Sequence, residues 1–288
     1  MWIADQWRDY ELLDTSSGNR LERWGDHILI RPDPQVIWQT DHTRSEWRHA
    51  EGIYHRSKSG GGSWELRSSL PESWKIRYGD LTFRVKPMNF KHTGVFPEQA
   101  VNWDFMRRRI RAAGRPVRVL NLFAYTGCAT VACAREGASV AHVDASRGMV
   151  EWAKENAVLS GVREAPVRYL VDDCMKFVER ELRRGNRYDG IVMDPPSYGR
   201  GPNGEVWQLE DKLYPFLLQV TRLLSSSPVF FVLNSYSTGL SASVMEYLLS
   251  LTLPASVGGR TESGEIGLLL PDGKAFPSGS TVRWFSEE

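Results

Sequence analysis

From residue 117 to the C-terminus, short and almost wholly apolar runs alternate with longer amphipathic ones. "VRVLNLFAY" precedes "CATVACAREG", "SVAHVDAS" precedes "RGMVEWAKENAVLSG", and "VRYLVDD" precedes a helical stretch at 174–184. "YDGIVMDPP" leads through a glycine-rich segment to a helix at about 207–224, followed by "PVFFVLNSY" and a helix at about 241–252. Strands that read as continuous Val, Ile and Leu are buried on both faces, and strands separated by helices run parallel. The fold expected is α/β, a Rossmann-like sheet with helices on both sides. Gly137 and Gly161 close the first two helices as C-caps. The last two runs, "EIGLLL" and "STVRWF", have no helix between them and are expected to form an antiparallel hairpin at the sheet edge, making seven strands.

The first 110 residues follow another pattern. Residues 1–70 mix Trp, His and charge with short strand-like pieces ("DHILIRP", "QVIWQT") and read as a small β-rich (α+β) domain. "SKSGGGSWEL" reads as a loop or linker. Residues 71–110 are a hairpin about Tyr78-Gly79-Asp80 with a connecting helix, and 111–288 form the main domain. Eight of the eleven tryptophans precede residue 104. Large rings filling a small core are the simpler reading, and stacking on nucleic-acid bases the alternative.

Composition narrows the classes. With 41% hydrophobic and 25% charged residues the chain is of ordinary globular type, and no apolar run approaches the roughly 20 residues that span a bilayer. The N-terminus is acidic and aromatic, unlike a signal peptide. Cys128, Cys133 and Cys174 lack paired spacing, and His42, His49 and His55 lack metal-ligand spacing. Neither a disulfide framework nor a metal site is expected, and the cytoplasm is the expected compartment. Net charge is +1, which excludes a wholly basic nucleic-acid coat, although residues 1–115 carry +4 and the remainder −3. "FMRRRIRAAGRPVR" holds six arginines within residues 107–118, either a solvated helix face or a ridge that grips phosphates.

Candidate site residues fall at the carboxyl ends of the predicted strands, where open α/β sheets bind ligands. "NLFAYTGCAT" (121–130) contains one glycine, Gly127, and fails the dinucleotide pattern G-x-G-x-x-G. Asp144 ends the second strand, where a carboxylate can accept both hydroxyls of a ribose. Asp172-Asp173 end the third, where one carboxylate can accept from an adenine amine while the other caps the following helix. Ribose and adenine contacts without a phosphate cradle describe S-adenosyl-L-methionine (SAM), with S-adenosylhomocysteine as product. The fourth strand ends in "IVMDPPSYGRG" (191–201), a buried run that stops on a carboxylate and two prolines. A buried carboxylate is costly, so this stretch reads as a site.

Together, "VLNLFAYTGCATVACAREGASVAHVDASRGMVEWAKENAVLSG", "DDCMKFV" and "DPPSYGRG" resemble the class I SAM-dependent methyltransferases related to the 23S (large-subunit) ribosomal RNA cytosine-C5 methyltransferases. "KHTGVFPEQAVNWDFM" (91–106) resembles the segment preceding the SAM domain in that group, whereas residues 1–70 do not resemble the PUA domain many relatives carry. The resemblance implies a seven-stranded methyltransferase sheet. It implies Phe123, Ala124, Tyr125, Thr126 and Gly127 around the methionine part of SAM, and Asp144 with Ala145 and Ser146 at the ribose. It also implies Asp173 and Cys174, next to Asp172, at the adenine, Asp194 facing the transferred methyl, and Phe96 and Gln99 closing over the cofactor.

C5 methylation of cytosine needs a thiolate that adds to C6. The positions that would carry it read Asp194-Pro195-Pro196-Ser197 and "LNSYSTG" (233–239), with Tyr236 about where the C5 enzymes have Ser-Cys-Ser. Amines and ring nitrogens need no such nucleophile. Asp194 and the Pro195 carbonyl can accept an amine's protons, Pro196 adds no competing N–H, and Tyr198 can stack on a flipped base. Gly199-Arg200-Gly201 and Gly204 suggest a mobile loop beside the site, with Arg200 placed to meet a phosphate. The expected activity is methylation of a base in RNA, ribosomal RNA above all. A protein or small-molecule N- or O-methyltransferase and a non-catalytic SAM-binding module are the alternatives.

Overall fold

The computed structural model describes residues 1–57, 61–67, 69–201, 204–237 and 239–287. The chain forms two compact units, one of residues 3–98 and 267–276, the other of 1–2, 99–266 and 277–288.

In the first unit, five strands pair in chain order: Tyr10–Ser16, Asn19–Trp24, His27–Pro32, Gly52–Arg56 and Gly62–Leu66. His27–Pro32 and Gly52–Arg56 run parallel, the rest antiparallel. Trp74–Tyr78 and Leu81–Val85 form a separate hairpin with Tyr78 opposite Leu81. Trp24, Leu21, Leu29, Ile76 and Phe83 are fully buried. The indole N–H groups of Trp7, Trp38, Trp64 and Trp74 donate to the carbonyls of Pro97, Thr15, Phe90 and Trp24, and that of Trp47 donates to Asp14. These tryptophans, four half-buried and Trp38 exposed, fasten the unit's own chain through their N–H groups. Beneath the sheet, the fully buried Glu22 carboxylate accepts from Tyr10 (2.8 Å) and from Arg31 Nε and Nη2 (2.6 and 2.8 Å).

The second unit carries the α/β sheet. In chain order its elements are α1 (Ala100–Ala112), β1 (Arg118–Leu122), α2 (Cys128–Arg135), β2 (Ser139–Asp144), α3 (Arg147–Leu159) and β3 (Val167–Val171). They continue with α4 (Cys174–Arg184), β4 (Gly190–Met193), α5 (Leu209–Val220), β5 (Phe230–Ser235), α6 (Ala242–Thr252), β6 (Arg260–Leu269) and β7 (Ala275–Phe285). The sheet order is β3-β2-β1-β4-β5-β7-β6, with the two-residue strand Trp2–Ile3 beyond β6. Strands β3 to β5 are parallel and β7 is antiparallel to β5. This is the expected α/β sheet with its terminal antiparallel pair, extended by one short edge strand. Every residue of β4 and β5 is buried, and Leu120, Leu122, Ile191, Met193, Phe231 and Leu233 build one core with Phe177 and Phe216 from the helices. Chain order reverses between β1 and β4, which opens a crevice at their carboxyl ends.

The arginine-rich segment is largely engaged within the protein. Arg107 and Arg111 share Glu136 (2.6 and 3.1 Å), Arg109 donates to the Ser286 carbonyl, and Arg115 pairs with Asp189 (3.1 Å). Arg108, Arg111, Arg115 and Arg118 nevertheless remain exposed, as the solvated-face reading expects. Among the described residues, no helix is long and apolar enough to cross a membrane and no cluster of His, Cys, Asp or Glu is arranged to hold a metal.

Candidate functional site

The parallel register brings the candidates into one row. Leu122 stands level with Val143 on one side and Met193 on the other, Met193 is level with Leu233, and Asp144 with Val171. One step further along each strand come Phe123, Asp194 and Asn234, beside Asp144 and Asp172. The sheet therefore gathers four of the predicted segments at one edge of a single unit.

The loop after β1 is held in a conformation its sequence hides. Phe123 (φ +54°), Tyr125 (φ +51°) and Gly127 (φ +78°) are all left-handed, and two of them are bulky aromatic residues for which that region is uncommon. Such backbone persists only where its surroundings over-determine it. Here the Phe123 N–H donates to Cys174 Sγ (3.3 Å), that of Ala124 to the Val143 carbonyl (3.1 Å), that of Tyr125 to Asp144 (2.8 Å) and that of Gly127 to the Ala124 carbonyl (3.0 Å). The Asn156 amide on α3 donates to the carbonyl of the buried Thr126 (2.9 Å). A Cβ at Gly127 would stand 2.6 Å from Ala153 Cβ, so the loop lies directly on α3.

The three carboxylates at the strand ends have distinct duties. Asp144 accepts Tyr125 N–H on one oxygen and Ser146 N–H on the other, both at 2.8 Å, and each oxygen keeps a further lone pair. Burial pushes its pKa up, opposed by those two N–H groups. Ala145 is half-buried and Ser146 exposed at the start of α3. Asp173 caps α4 by accepting Lys176 N–H (2.9 Å), whereas Asp172 pairs with Arg180. Cys174 is buried under the loop.

On the acceptor side, Asp194 is half-buried, Pro195 buried, and Pro196 and Tyr198 exposed. The glycine-rich stretch, expected as a mobile loop, is instead an antiparallel hairpin with Tyr198–Arg200 paired to Val206–Gln208; residues 202 and 203 of that stretch lie outside the described ones. Strand pairing here has an anchor the sequence reading missed. The buried Trp207 donates its indole N–H to the Pro196 carbonyl (2.7 Å) and packs 4.9 Å from Phe123 and 5.6 Å from Phe216. Its mark in the sequence is a lone tryptophan in "EVWQLED", just where the polar stretch meets a helix. Glu205 pairs with Lys176 on α4, and a Cβ at Gly201 would lie 3.0 Å from Asp173 Oδ2, so the hairpin folds over the cap of α4. Gln99, at the start of α1, donates to the Tyr236 hydroxyl oxygen (2.9 Å). Phe96 belongs to the other unit, its ring 5.2 Å from His92.

These residues fit SAM better than a dinucleotide. The backbone N–H groups of 123, 124, 125 and 127, which a pyrophosphate would need, are engaged by the protein. What the edge offers is carboxylate acceptors suited to hydroxyls, an amine and a sulfonium. Residues 29–224 match the profile of the S-adenosylmethionine-dependent methyltransferases. The chain belongs to this family.

A SAM-dependent methyltransferase from Agrobacterium tumefaciens is 38% identical and superposes with a TM-score of 0.94 over 99% of this chain and 93% of that one. A methyltransferase solved with S-adenosylhomocysteine shares the fold at 17% identity and TM-score 0.76, over 97% of this chain and 76% of that one. Among curated sequences, a "Ribosomal RNA large subunit methyltransferase K/L" from Pseudoalteromonas atlantica is 32% identical over 49% of this chain, and one from Stutzerimonas stutzeri 31% identical over 66%. The matches span only 19% and 25% of those longer proteins. The enzyme thus takes SAM as methyl donor and leaves S-adenosylhomocysteine.

None of the three cysteines offers a thiolate. All are buried, and burial pushes the thiols of Cys128 and Cys133 up to about 12 and that of Cys174 up as well. They serve as packing residues.

Proposed function

We propose that this methyltransferase modifies a base of ribosomal RNA in the cytoplasm, at an exocyclic amine or ring nitrogen and without a covalent enzyme–base adduct. The observation that carries the reading is that Asp194 at the end of β4 is half-buried while all three cysteines are buried. C5 chemistry demands a thiolate at the base, and an amine or ring nitrogen does not. SAM supplies an electrophilic methyl in line with the attacking atom. Asp194 accepts a hydrogen bond from the acceptor's N–H and exposes its lone pair, the Pro195 carbonyl adds a second acceptor, and Tyr198 stacks on the base. In this reading Phe123–Gly127 hold the methionine part, Asp144 with Ala145 and Ser146 the ribose, and Asp173 with Cys174 the adenine. Ribosomal RNA as substrate rests on the names of the curated relatives.

One observation favours a second reading, an N- or O-methyltransferase for a protein or small molecule: Arg107, Arg109 and Arg111 on α1 already pair with groups of the protein itself. Mass spectrometry of nucleosides from ribosomal RNA, in cells with and without the gene, separates the two. The proposal expects loss of one N-methylated nucleoside. An unchanged nucleoside profile would overturn the RNA reading, and loss of 5-methylcytosine would overturn the argument from the cysteines.

A further inference from the structure

Beyond the sheet, the acceptor segment has few backbone donors with which to hold its own position. β4 pairs with β1 and β5 as far as Met193, and Pro195 and Pro196 have no N–H to give. Their fixed φ stiffens the link from Asp194 to Ser197, and its carbonyls are the backbone handles left. Two of those carbonyls are gripped from the far side of the hairpin. The Trp207 indole, in the return strand, donates Nε1–H to the Pro196 carbonyl (2.7 Å), and the Leu209 N–H, just beyond that strand, donates to the Ser197 carbonyl (3.0 Å).

The same indole packs on the loop after β1. Its ring lies 4.9 Å from that of Phe123 at 56° and 5.6 Å from that of Phe216 at 77°, and the two Phe rings are 6.0 Å apart at 82°. These are the tilted and edge-on contacts in which aromatic pairs attract. Phe216 is fully buried and Trp207 is 6% exposed, so in a close-packed interior a shift of one ring is passed to the others. Phe123 is itself the left-handed residue whose N–H is tied to Cys174 Sγ.

Core packing explains only half of this arrangement. A Phe or Leu at 207 would fill the space between Phe123 and Phe216 as well. An indole adds a single polar hydrogen, and here that hydrogen is given to the carbonyl of a proline that nothing in a ring cluster requires it to meet. One rigid side chain thereby joins the loop after β1 to the segment after β4.

We propose that Trp207 is a positioning residue that locks the acceptor segment to the cofactor loop, so that filling the cofactor site fixes Pro196, and through the two prolines Asp194, in place for the methyl acceptor. The inference rests on the proposed placement of the cofactor at Phe123–Gly127 and of the acceptor at Asp194–Tyr198. It deepens that reading by making the two sites cooperative. In-line transfer tolerates little misplacement of donor and acceptor, and a link of this kind sets one against the other.

Amide hydrogen exchange of the full chain, with and without saturating S-adenosylhomocysteine, tests this. If opening the base of the hairpin weakens the cofactor site, a bound cofactor must close that base by the same factor. Exchange at the Leu209 amide is therefore expected to slow by about fivefold or more when S-adenosylhomocysteine is added. Trp207→Phe keeps a ring against Phe123 and removes the N–H. It is expected to bind S-adenosylhomocysteine within about twofold of wild type by calorimetry, yet to lose the slowing at Leu209. Its kcat is expected to fall about 10- to 100-fold on whichever acceptor pool the wild type methylates, ribosomal RNA or a low-molecular-weight extract, both from cells lacking the gene. No slowing at Leu209 in the wild type overturns the proposal, as does full slowing or an unchanged kcat in Trp207→Phe. A variant that loses its affinity for S-adenosylhomocysteine also overturns it, because the indole then only supports the loop. The Ala124 and Gly127 amides separate the two readings. Slowing there with none at Leu209 keeps the cofactor at the loop and removes the coupling, whereas no slowing at any of the three, in a chain that binds S-adenosylhomocysteine, removes both.

Discussion

Replacing Gly127 by alanine should damage this enzyme twice, and a matched control separates the two causes. Gly127 sits at φ +78°, where an L-residue costs about 1–2 kcal/mol. Its new Cβ would also lie 2.6 Å from Ala153 Cβ and 3.3 Å from Ala153 Cα, both on α3 and unable to swing aside. Overpacking of this kind adds about 1–3 kcal/mol. Gly137 sits at φ +83° with nothing within 4 Å of an added Cβ, so Gly137→Ala carries the backbone cost alone.

The totals are about 2–5 kcal/mol for Gly127→Ala and about 1–2 kcal/mol for Gly137→Ala. At about 2–4 °C per kcal/mol for a domain of this size, thermal midpoints should fall by roughly 4–20 °C and roughly 2–8 °C respectively. The steric part acts on the loop proposed to hold the cofactor. If displacing that loop costs SAM binding the same 1–3 kcal/mol, affinity drops by about 5- to 150-fold in Gly127→Ala and stays within twofold of wild type in Gly137→Ala. Titration calorimetry with SAM and thermal melts of the three proteins measure both quantities. Equal midpoints for the two variants, together with unchanged SAM affinity in Gly127→Ala, would refute the claim that the loop is wedged against α3.

The three cysteines should resist iodoacetamide at pH 8 in the folded protein; stoichiometric labelling of Cys174 would contradict its placement under the loop. Because burial raises the Asp144 pKa above 3.8, the folded chain binds the proton more tightly than the unfolded one, so this group's contribution to stability declines as pH rises from 3.8 through the folded value. If Asp144 holds the ribose as proposed, SAM binding should weaken on acidification through that same interval, a dependence that Asp144→Asn abolishes in calorimetry at several pH values. Glu22 behaves oppositely: burial alone would raise its pKa, but Arg31 overrides burial and holds it below 4.5. Its stabilisation is complete above 4.5 and lost as pH falls through the folded value, while Glu22→Gln leaves Arg31 buried without its counter-charge and should cost about 3–5 kcal/mol in urea unfolding at pH 7.

The sheet was legible because its strands are buried on both faces. Runs such as Ile191-Val192-Met193 and Phe230-Phe231-Val232-Leu233 admit few other environments, and their helices carry their own stops at Gly137, Gly161 and Gly185. The row of strand ends follows from parallel register, so Asp144, Asp172 and Asp194 could be placed without coordinates. The hairpin over α4 was not legible. Gly199, Gly201 and Gly204 signal turns in any context, and the hairpin is held by contacts from elsewhere, Trp207 against Phe123 and Phe216 and Glu205 on Lys176. The two neighbouring aspartates were left open for a related reason: Asp173 takes the cap, and Asp172 turns to Arg180, a choice made by geometry across two helical turns.

The loop after β1 shows most sharply why local sequence rules fail at such a site. A glycine count reads backbone freedom, yet Phe123 and Tyr125 take left-handed conformations without being glycine. What holds them there comes from elsewhere in the chain: Cys174 receives Phe123 N–H from 51 residues away, and Asp144 receives Tyr125 N–H from 19 residues away. Asp144 and Cys174, proposed as ligand contacts, are therefore also supports of the loop after β1. Substituting either one alters the loop before it alters any contact to SAM. A loss of SAM affinity in Cys174→Ala then has two sources, the lost Phe123 support and the proposed adenine contact. The two are separable, because loss of the support lowers the melting temperature without cofactor, whereas loss of a contact lowers it only with SAM bound.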